Sequence, residues 1–303
     1  MHKTKTIMIT GSDGFVGSHL CDVISRTTDW LIIKIGRCID ITDRRKVAEM
    51  FNAFNPDAII HLAAKAAPAT NDSQWLEMLN SNIMGTANLL HCSPVGCRFI
   101  FASSIVVYGD WLMEQNQVNS KLGLYVSEYM ESYDCKPTSA YAASKLASEQ
   151  LVTTYTRMGR VSGINLRLCA VVGSRLTHGA LKDIIRKSAL DVPTLPLMGN
   201  APGSTKPYIH IDDVVRCIMA KVQSQDVAPI NIVPGDSISI DKMSDLVLEQ
   251  ASPNRKEKVW SGQTFIGDNN VLLVKRGHPL PKFMYETSED AVKQAIKDNI
   301  LCT

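Results

Sequence analysis

The apolar run Thr6-Ile7-Met8-Ile9-Thr10, followed at once by Gly11-Ser12-Asp13-Gly14-Phe15-Val16-Gly17, limits the fold of this chain more than any other feature. A short apolar run of this kind reads as a buried strand, and glycines at intervals of three read as a tight turn into a helix. Gly11 permits the turn, Gly14 lets backbone approach a pyrophosphate, and Gly17 lets helix and sheet pack closely. The helix N-terminus then offers free N–H groups and a partial positive charge to an anion. Phe15 and Val16 complete the turn and join the three glycines as candidate cofactor contacts. A lone glycine pattern is a weak signal; its place between strand and helix strengthens it.

Strand and helix signals alternate through the first half, as in a parallel sheet with crossover helices. Strands are expected at 5–10, 31–35, 57–62 and 98–103, and from Ile164 to Leu168 after Gly163. Helices are expected from Val16 to Ile24, Asp43 to Phe54, Trp75 to His91 and Tyr141 to Arg157. Thr42 or Asp43 is placed to cap the second, and Asn55-Pro56 to stop it. Beyond residue 173 strand signals become sparse; a helix from Asp212 to Gln223 and a strand from Ile230 to Val233 stand out.

The 303 residues can form one large domain or two lobes. A composition 45% hydrophobic and 20% charged is that of a soluble globular protein, and a formal charge of +2 argues against a nucleic-acid surface. Arg44-Arg45-Lys46 and Arg255-Lys256-Glu257-Lys258 read as solvated faces. A first strand so near the start leaves no room for a signal peptide, and no stretch approaches the ~18 apolar residues of a membrane span. The eight cysteines show no Cys-x-x-Cys, so no metal site is expected; buried thiols in a cytoplasmic, reducing compartment are.

Chemistry is carried by Ala140-Tyr141-Ala142-Ala143-Ser144-Lys145 and by Ser104, in Ser103-Ser104-Ile105-Val106-Val107-Tyr108-Gly109. Spacing i, i+4 puts Tyr141 and Lys145 on one helix face. A phenol with a pKa near 10 is a poor base at neutral pH, and lowering it by ~3 units takes ~4 kcal/mol. One ammonium at ~4 Å supplies about that at an effective dielectric of ~20. A serine hydroxyl nearby holds the substrate oxygen while the tyrosine exchanges its proton. Such a set serves hydride transfer to or from a carbonyl.

With these motifs, the chain resembles the extended short-chain dehydrogenase/reductases, the NAD-dependent epimerase/dehydratase family. The resemblance rests on Gly11, Gly14 and Gly17; His61-Leu62-Ala63-Ala64; Asn82 with Gly85-Thr86; Ser104 with Tyr108-Gly109; Tyr141 and Lys145; and Ile209-His210-Ile211-Asp212-Asp213-Val214. It implies a Rossmann-type doubly wound parallel sheet, over 1–165 and 205–235, that binds NAD(P). A smaller C-terminal substrate-binding domain would take 166–204 and 236–303. It further implies Ser104, Tyr141 and Lys145 as catalytic residues, with Tyr141 and Lys145 also touching the cofactor. Asp40-Ile41 would lie beside the adenine and Leu62-Ala63-Ala64 under the ribose and pyrophosphate. For Asn82, a helix-surface amide and a role near the active site both stay open.

An acidic residue at the end of the second strand bonds a ribose 2′-hydroxyl, whereas an arginine suits a 2′-phosphate. Here that strand ends in Gly36-Arg37, with no carboxylate before Asp40, so Arg37 favours NADP. Sugar dehydratases of the family carry Asp-Glu after the hydroxyl residue; Ile105 and Val106 stand there instead and cannot move a proton. Two routes remain on a nucleotide-sugar substrate: reduction of a 4-keto sugar, which is implied by the resemblance of the short chain and compact Arg37-to-Asp43 connection to the keto-sugar reductases of the family, or 4-epimerisation with retained NAD. A non-catalytic NAD(P)-binding protein of the same fold is a further alternative. The resemblance also implies a homodimer through Trp75–His91 and Tyr141–Arg157, for which Met78, Leu79, Ile83, Leu90, Leu146, Leu151 and Val152 supply apolar positions.

Overall fold

The structure, a computed structural model, describes residues 4–66, 71–109, 135–251, 256–263, 276 and 279–300; Arg255 and Cys302 lie outside them. Among the described residues the chain forms two compact units, one from 4–109, 135–168 and 215–231 and one from 169–214 and 232–300.

The first unit is built on strands β1 (Thr6–Thr10), β2 (Leu31–Ile35), β3 (Ala58–His61), β4 (Cys97–Ser104) and β5 (Val161–Leu168), with β10 (Ile230–Ile232) at one edge. Their order is β10-β5-β4-β3-β1-β2. β1 pairs in parallel with both β2 and β3, β3 with β4, and β4 with β5. The central strands are apolar on both faces because helices cover both faces of such a sheet. Met8, Ile59, Phe99 and Phe101 point into one core layer with Val47 and Phe51 of α2 (Arg44–Phe54). Asp43 caps α2 through Arg45 and Lys46 N–H groups, and Asn55 ends it in the left-handed conformation.

Two elements differ from expectation. β5 starts at Val161 and carries Gly163 inside it. The glycine marks close packing there, since a Cβ would stand 2.5 Å from Thr156 Oγ1 and 2.7 Å from Val152 Cγ1. The helix expected over Trp75–His91 is α3 (Asp72–Leu79), a π-turn (Asn80–Met84) and α4 (Gly85–Cys92) in succession. Gly85, directly after the π-turn, packs closely on Ile41, where a Cβ would lie 2.6 Å from Cδ1.

The apolar positions expected to face a second copy divide: Leu79, Ile83, Leu146 and Leu151 are half-buried, and the other three are covered. Met78, Leu90 and Val152 are buried in the chain's own core, because these helices pack on each other as well as on the sheet. Trp75, Leu76 and Met84 of the same helical stretch are exposed.

The second unit pairs β6 (Ala170–Val172) with β9 (Tyr208–His210), β7 (Thr194–Leu197) with β12 (Glu257–Trp260), and β8 (Thr205–Lys206) with β11 (Ile238–Ser239). Between them run α6 (Ala180–Ser188), α8 (Ile240–Ala251) and α9 (Ser288–Ile300), while α7 (Ile211–Gln223) passes from this unit into the first. The basic run near 256 is not a solvated face. Lys256 is buried and donates to the carbonyls of Leu190 and Val192, and Lys258 bonds Asp241 and Asp245 at 2.7 and 2.8 Å. Among the described residues no helix is long and apolar enough to cross a membrane.

Candidate active site

In this strand order the connections diverge between β1 and β3, and ligands of open α/β sheets bind beyond the strand ends at such a point. A cavity of about 710 Å³ opens there, lined by Gly11, Gly14, Arg37, Asp40, Ile41, Leu62, Ala63 and Ala64, together with Asp13, Gly36, Lys65 and Glu77. Phe15, Val16 and Gly17 form the first turn of α1 (Phe15–Thr27) behind it.

The cradle is tight. Gly11 has φ 68°, and its N–H donates to Ile35 O at 2.8 Å, tying the turn to the end of β2. A Cβ on Gly17 would stand 2.1 Å from Gly11 O, so backbone passes where side chains cannot. No side chain caps α1 and no acidic residue sits in its first turn, which leaves its N–H groups and dipole for an anion. These residues fit a dinucleotide.

Hydrogen bonds from behind hold the backbone that lines the cavity. Thr86 Oγ1 donates to Asn82 O at 2.7 Å, so the His61 Nε2–H must donate to Thr86 Oγ1 at 2.9 Å. His61 Nδ1 then accepts from Thr10 Oγ1 at 2.7 Å, and that hydroxyl accepts the Ala63 N–H at 3.2 Å. Burial, helped by Lys145, pushes the imidazole down to about 3, so the ring is neutral and structural. Asn82 is buried and is no surface amide. It accepts from Lys65 N–H at 2.8 Å and donates to Lys65 O and Ser144 Oγ at 3.0 and 2.9 Å, joining the loop after β3 to α5 (Ala140–Arg157). Asp40 accepts from the N–H and hydroxyl of Thr42 at 2.9 and 2.8 Å, which lowers its pKa, the backbone bond first. Asn88 holds the carbonyls of Ile41 and Thr42.

Tyr141 and Lys145 lie in the first turns of α5, which Ser139 caps through the Ala142 N–H. Lys145 is buried and donates to Ala102 O of β4 at 2.7 Å, with Nζ 4.7 Å from the Phe101 ring centre and 5.7 Å from that of Tyr141. Ser104 ends β4, two residues beyond that carbonyl; its hydroxyl donates to Leu168 O at 3.3 Å and accepts the Val106 N–H. Lys145 thus reaches β4 two residues before Ser104, and the three expected catalytic residues all lie in the first unit. The electrostatics differ from the sequence expectation: burial pushes the half-buried Tyr141 phenol up to about 12. Burial also takes Lys145 down to about 8 although Glu149 opposes it. Desolvation outweighs attraction, because the ammonium is turned to the Ala102 carbonyl.

Below this corner, Glu149 and Arg167 form a buried ion pair, Nη2 to Oε2 2.7 Å, and Arg167 Nη1 donates to Tyr108 Oη at 3.0 Å. Sequence reasoning missed this pair, although Glu149 follows Tyr141 and Lys145 at the same spacing of four. Asp13, inside the glycine turn, likewise carries no signal in its sequence neighbourhood for the place it takes beside Gly36. Ile105 is buried in the turn after Ser104, which runs Ile105–Tyr108, and Val106 is half-buried.

A family model described as the NAD dependent epimerase/dehydratase family matches residues 7–233. UDP-glucuronic acid decarboxylase 4 of Arabidopsis thaliana is 26% identical over 316 residues, covering 92% of this chain and 68% of that protein. UDP-glucose 4-epimerase of Mycoplasma genitalium is 27% identical over 245 residues, covering 69% of this chain and 68% of that protein. In fold, the chain is similar to UDP-glucuronic acid 4-epimerase from Bacillus cereus, solved with UDP-glucuronic acid and NAD. That match has a TM-score of 0.77 and 20% identity, over 98% of this chain and 100% of that one. With a glycine cradle at the strand divergence and a match across most of its length, the chain belongs to the NAD-dependent epimerase/dehydratase family and is an enzyme of the short-chain dehydrogenase/reductase type.

Proposed function

We propose that this enzyme reduces a 4-keto nucleotide-sugar, with Tyr141 as the proton donor. The observation that carries the proposal is a hydroxyl–phenol–ammonium set, Ser104, Tyr141 and Lys145, followed by two aliphatic residues. Ile105 and Val106 offer no group to remove water from the sugar, so the chemistry is limited to the carbonyl itself. The dinucleotide, when bound, supplies the hydride. The Ser104 hydroxyl holds the carbonyl oxygen, and Tyr141, whose phenol burial keeps protonated, passes its proton to that oxygen as negative charge develops. Lys145, charged below about pH 8, stabilises the phenolate left behind and is held in register by Ala102 O. The nucleotide-sugar class comes from what the relatives' names say they act on.

A second reading, 4-epimerisation with a retained cofactor, uses the same residues and is favoured by the epimerase relatives. A screen of 4-keto nucleotide-sugars with NADH and NADPH, followed at the nicotinamide absorbance band, tests the first. Oxidation of added cofactor identifies a reductase; a dinucleotide that stays bound through gel filtration and is released on denaturation, without such turnover, identifies an epimerase. Tyr141→Phe is expected to lose nearly all turnover while dinucleotide affinity stays within about threefold, since the phenol acts on the substrate oxygen. Turnover near that of the parent would refute the mechanism.

A further inference from the structure

Rossmann sites read the adenosine ribose with a carboxylate about 20 residues past the glycine turn, at the end of the second strand. In this chain that place is Gly36, which has no side chain to offer. The space is filled all the same. A Cβ on Gly36 would lie 1.9 Å from Asp13 Oδ2 and 2.5 Å from Asp13 Cγ, so the carboxylate of the glycine turn sits where an acid at position 36 would root. The Arg37 N–H fastens it there, donating to Oδ2 at 3.2 Å, and the Ser12 hydroxyl donates to Oδ1 at 3.3 Å.

The other carboxylates lining the cavity are engaged elsewhere, Asp40 by Thr42 and Glu77 by Lys65. Asp13 is exposed to the cavity, and its two oxygens have acceptor capacity beyond the two long bonds they receive. Arg37, which in sequence favours a 2′-phosphate, has an exposed side chain; its backbone, bonded to Asp13, is what belongs to this corner.

We propose that Asp13 reads the 2′ position of the adenosine ribose in place of the missing strand-end acid, and so selects NAD(H) over NADP(H). A 2′-hydroxyl donates to the carboxylate, whereas a 2′-phosphate meets a like charge held beside it. The inference rests on the dinucleotide site of the proposed function and goes beyond it by assigning the residue that chooses the cofactor.

The test is calorimetric titration of the full chain with NADH and with NADPH. The parent is expected to bind NADH at least about tenfold more tightly, the scale of a hydrogen bond to a charged group. Asp13→Asn keeps an oxygen for the Arg37 N–H but removes the charge, and should bring the two affinities within about threefold or invert them. The double variant Asp13→Ala/Gly36→Asp moves the carboxylate to the strand end and should restore the preference for NADH. Arg37→Ala should leave it intact. A parent that prefers NADPH, or an Asp13→Asn variant with an unchanged ratio, overturns the assignment while the cofactor site stands. A parent that binds neither dinucleotide refutes the site and the assignment together.

Discussion

Glu149→Leu is expected to cost about 3–5 kcal/mol of stability, because it strands a guanidinium in the core. Glu149 and Arg167 side chains are each 1% exposed. Arg167 reaches the carboxylate through Nε at 3.0 and 3.3 Å and through Nη2 at 2.7 Å. Burial opposes the charge of Arg167, and the bonds and attraction from Glu149 more than offset that, so its pKa is raised. Without the carboxylate, Tyr108 Oη, itself donating to Asn231 Oδ1 at 2.8 Å, still accepts from the guanidinium but brings no full charge to it. Total stability is about 5–15 kcal/mol for proteins generally, so the loss is about a fifth of it or more. At a urea dependence of about 3 kcal/mol/M the unfolding midpoint should fall by about 1–1.7 M. Tryptophan emission reports it, since Trp30 and Trp75 lie in the same unit as the pair. Glu149→Leu/Arg167→Met replaces both partners by apolar groups and should return to within about 1–2 kcal/mol of the parent. A single variant that loses under about 1 kcal/mol, or a double variant whose loss is the sum of the singles, would refute the argument.

Lys145 titrates near 8 in the fold against about 10.4 in an unfolded chain. Between those values the unfolded state holds a proton that the folded state lacks, so stability falls as pH drops through the window. The penalty, about 3 kcal/mol, is fully present below pH 8. Lys145→Met escapes it, and its stability relative to the parent should therefore decline by about 3 kcal/mol between pH 7 and pH 10.5; a flat difference in urea midpoints would show that the ammonium is not desolvated. Gly17→Ala should cost about 1–3 kcal/mol and weaken dinucleotide binding, because the contact at 2.1 Å is with backbone; calorimetry showing unchanged affinity would contradict the cradle. A two-fold homodimer through the helices bearing Trp75, Leu76 and Met84 should sediment at twice the chain mass and dissociate in Leu76→Glu/Met84→Glu; a monomeric parent at micromolar concentration would count against it.

The order of elements through β5 was legible because strands covered on both faces are continuous apolar runs, and because Asp43 and Asn55 carry end signals that act within a few residues. The second unit was hardly legible beyond α7. Its strands run from two to four residues and gain stability from partners far away in sequence, as β7 does from β12, so no local period announces them. Gly163 misled for a related reason. A glycine within a strand is the same letter whether it ends the strand or admits a helix, and only the approach of Val152 and Thr156 tells the two apart.

The sequence by itself determined the kind of fold, the glycine cradle and the three groups suited to carbonyl chemistry, because those depend on residue type and short spacing. Only the tertiary structure decided what each polar group faces. It turned Lys145 toward Ala102, so that burial raises the Tyr141 phenol where an unscreened pair would have lowered it. It buried Asn82 between Lys65 and Ser144, 17 and 62 residues away, and paired Glu149 with Arg167 across 18. It brought the carboxylate of Asp13 to Gly36, whose backbone neighbour Arg37 is 24 residues distant. Desolvation and hydrogen bonding act over a few ångströms, and neighbours at that distance are set by how strands and helices pack rather than by their order along the chain.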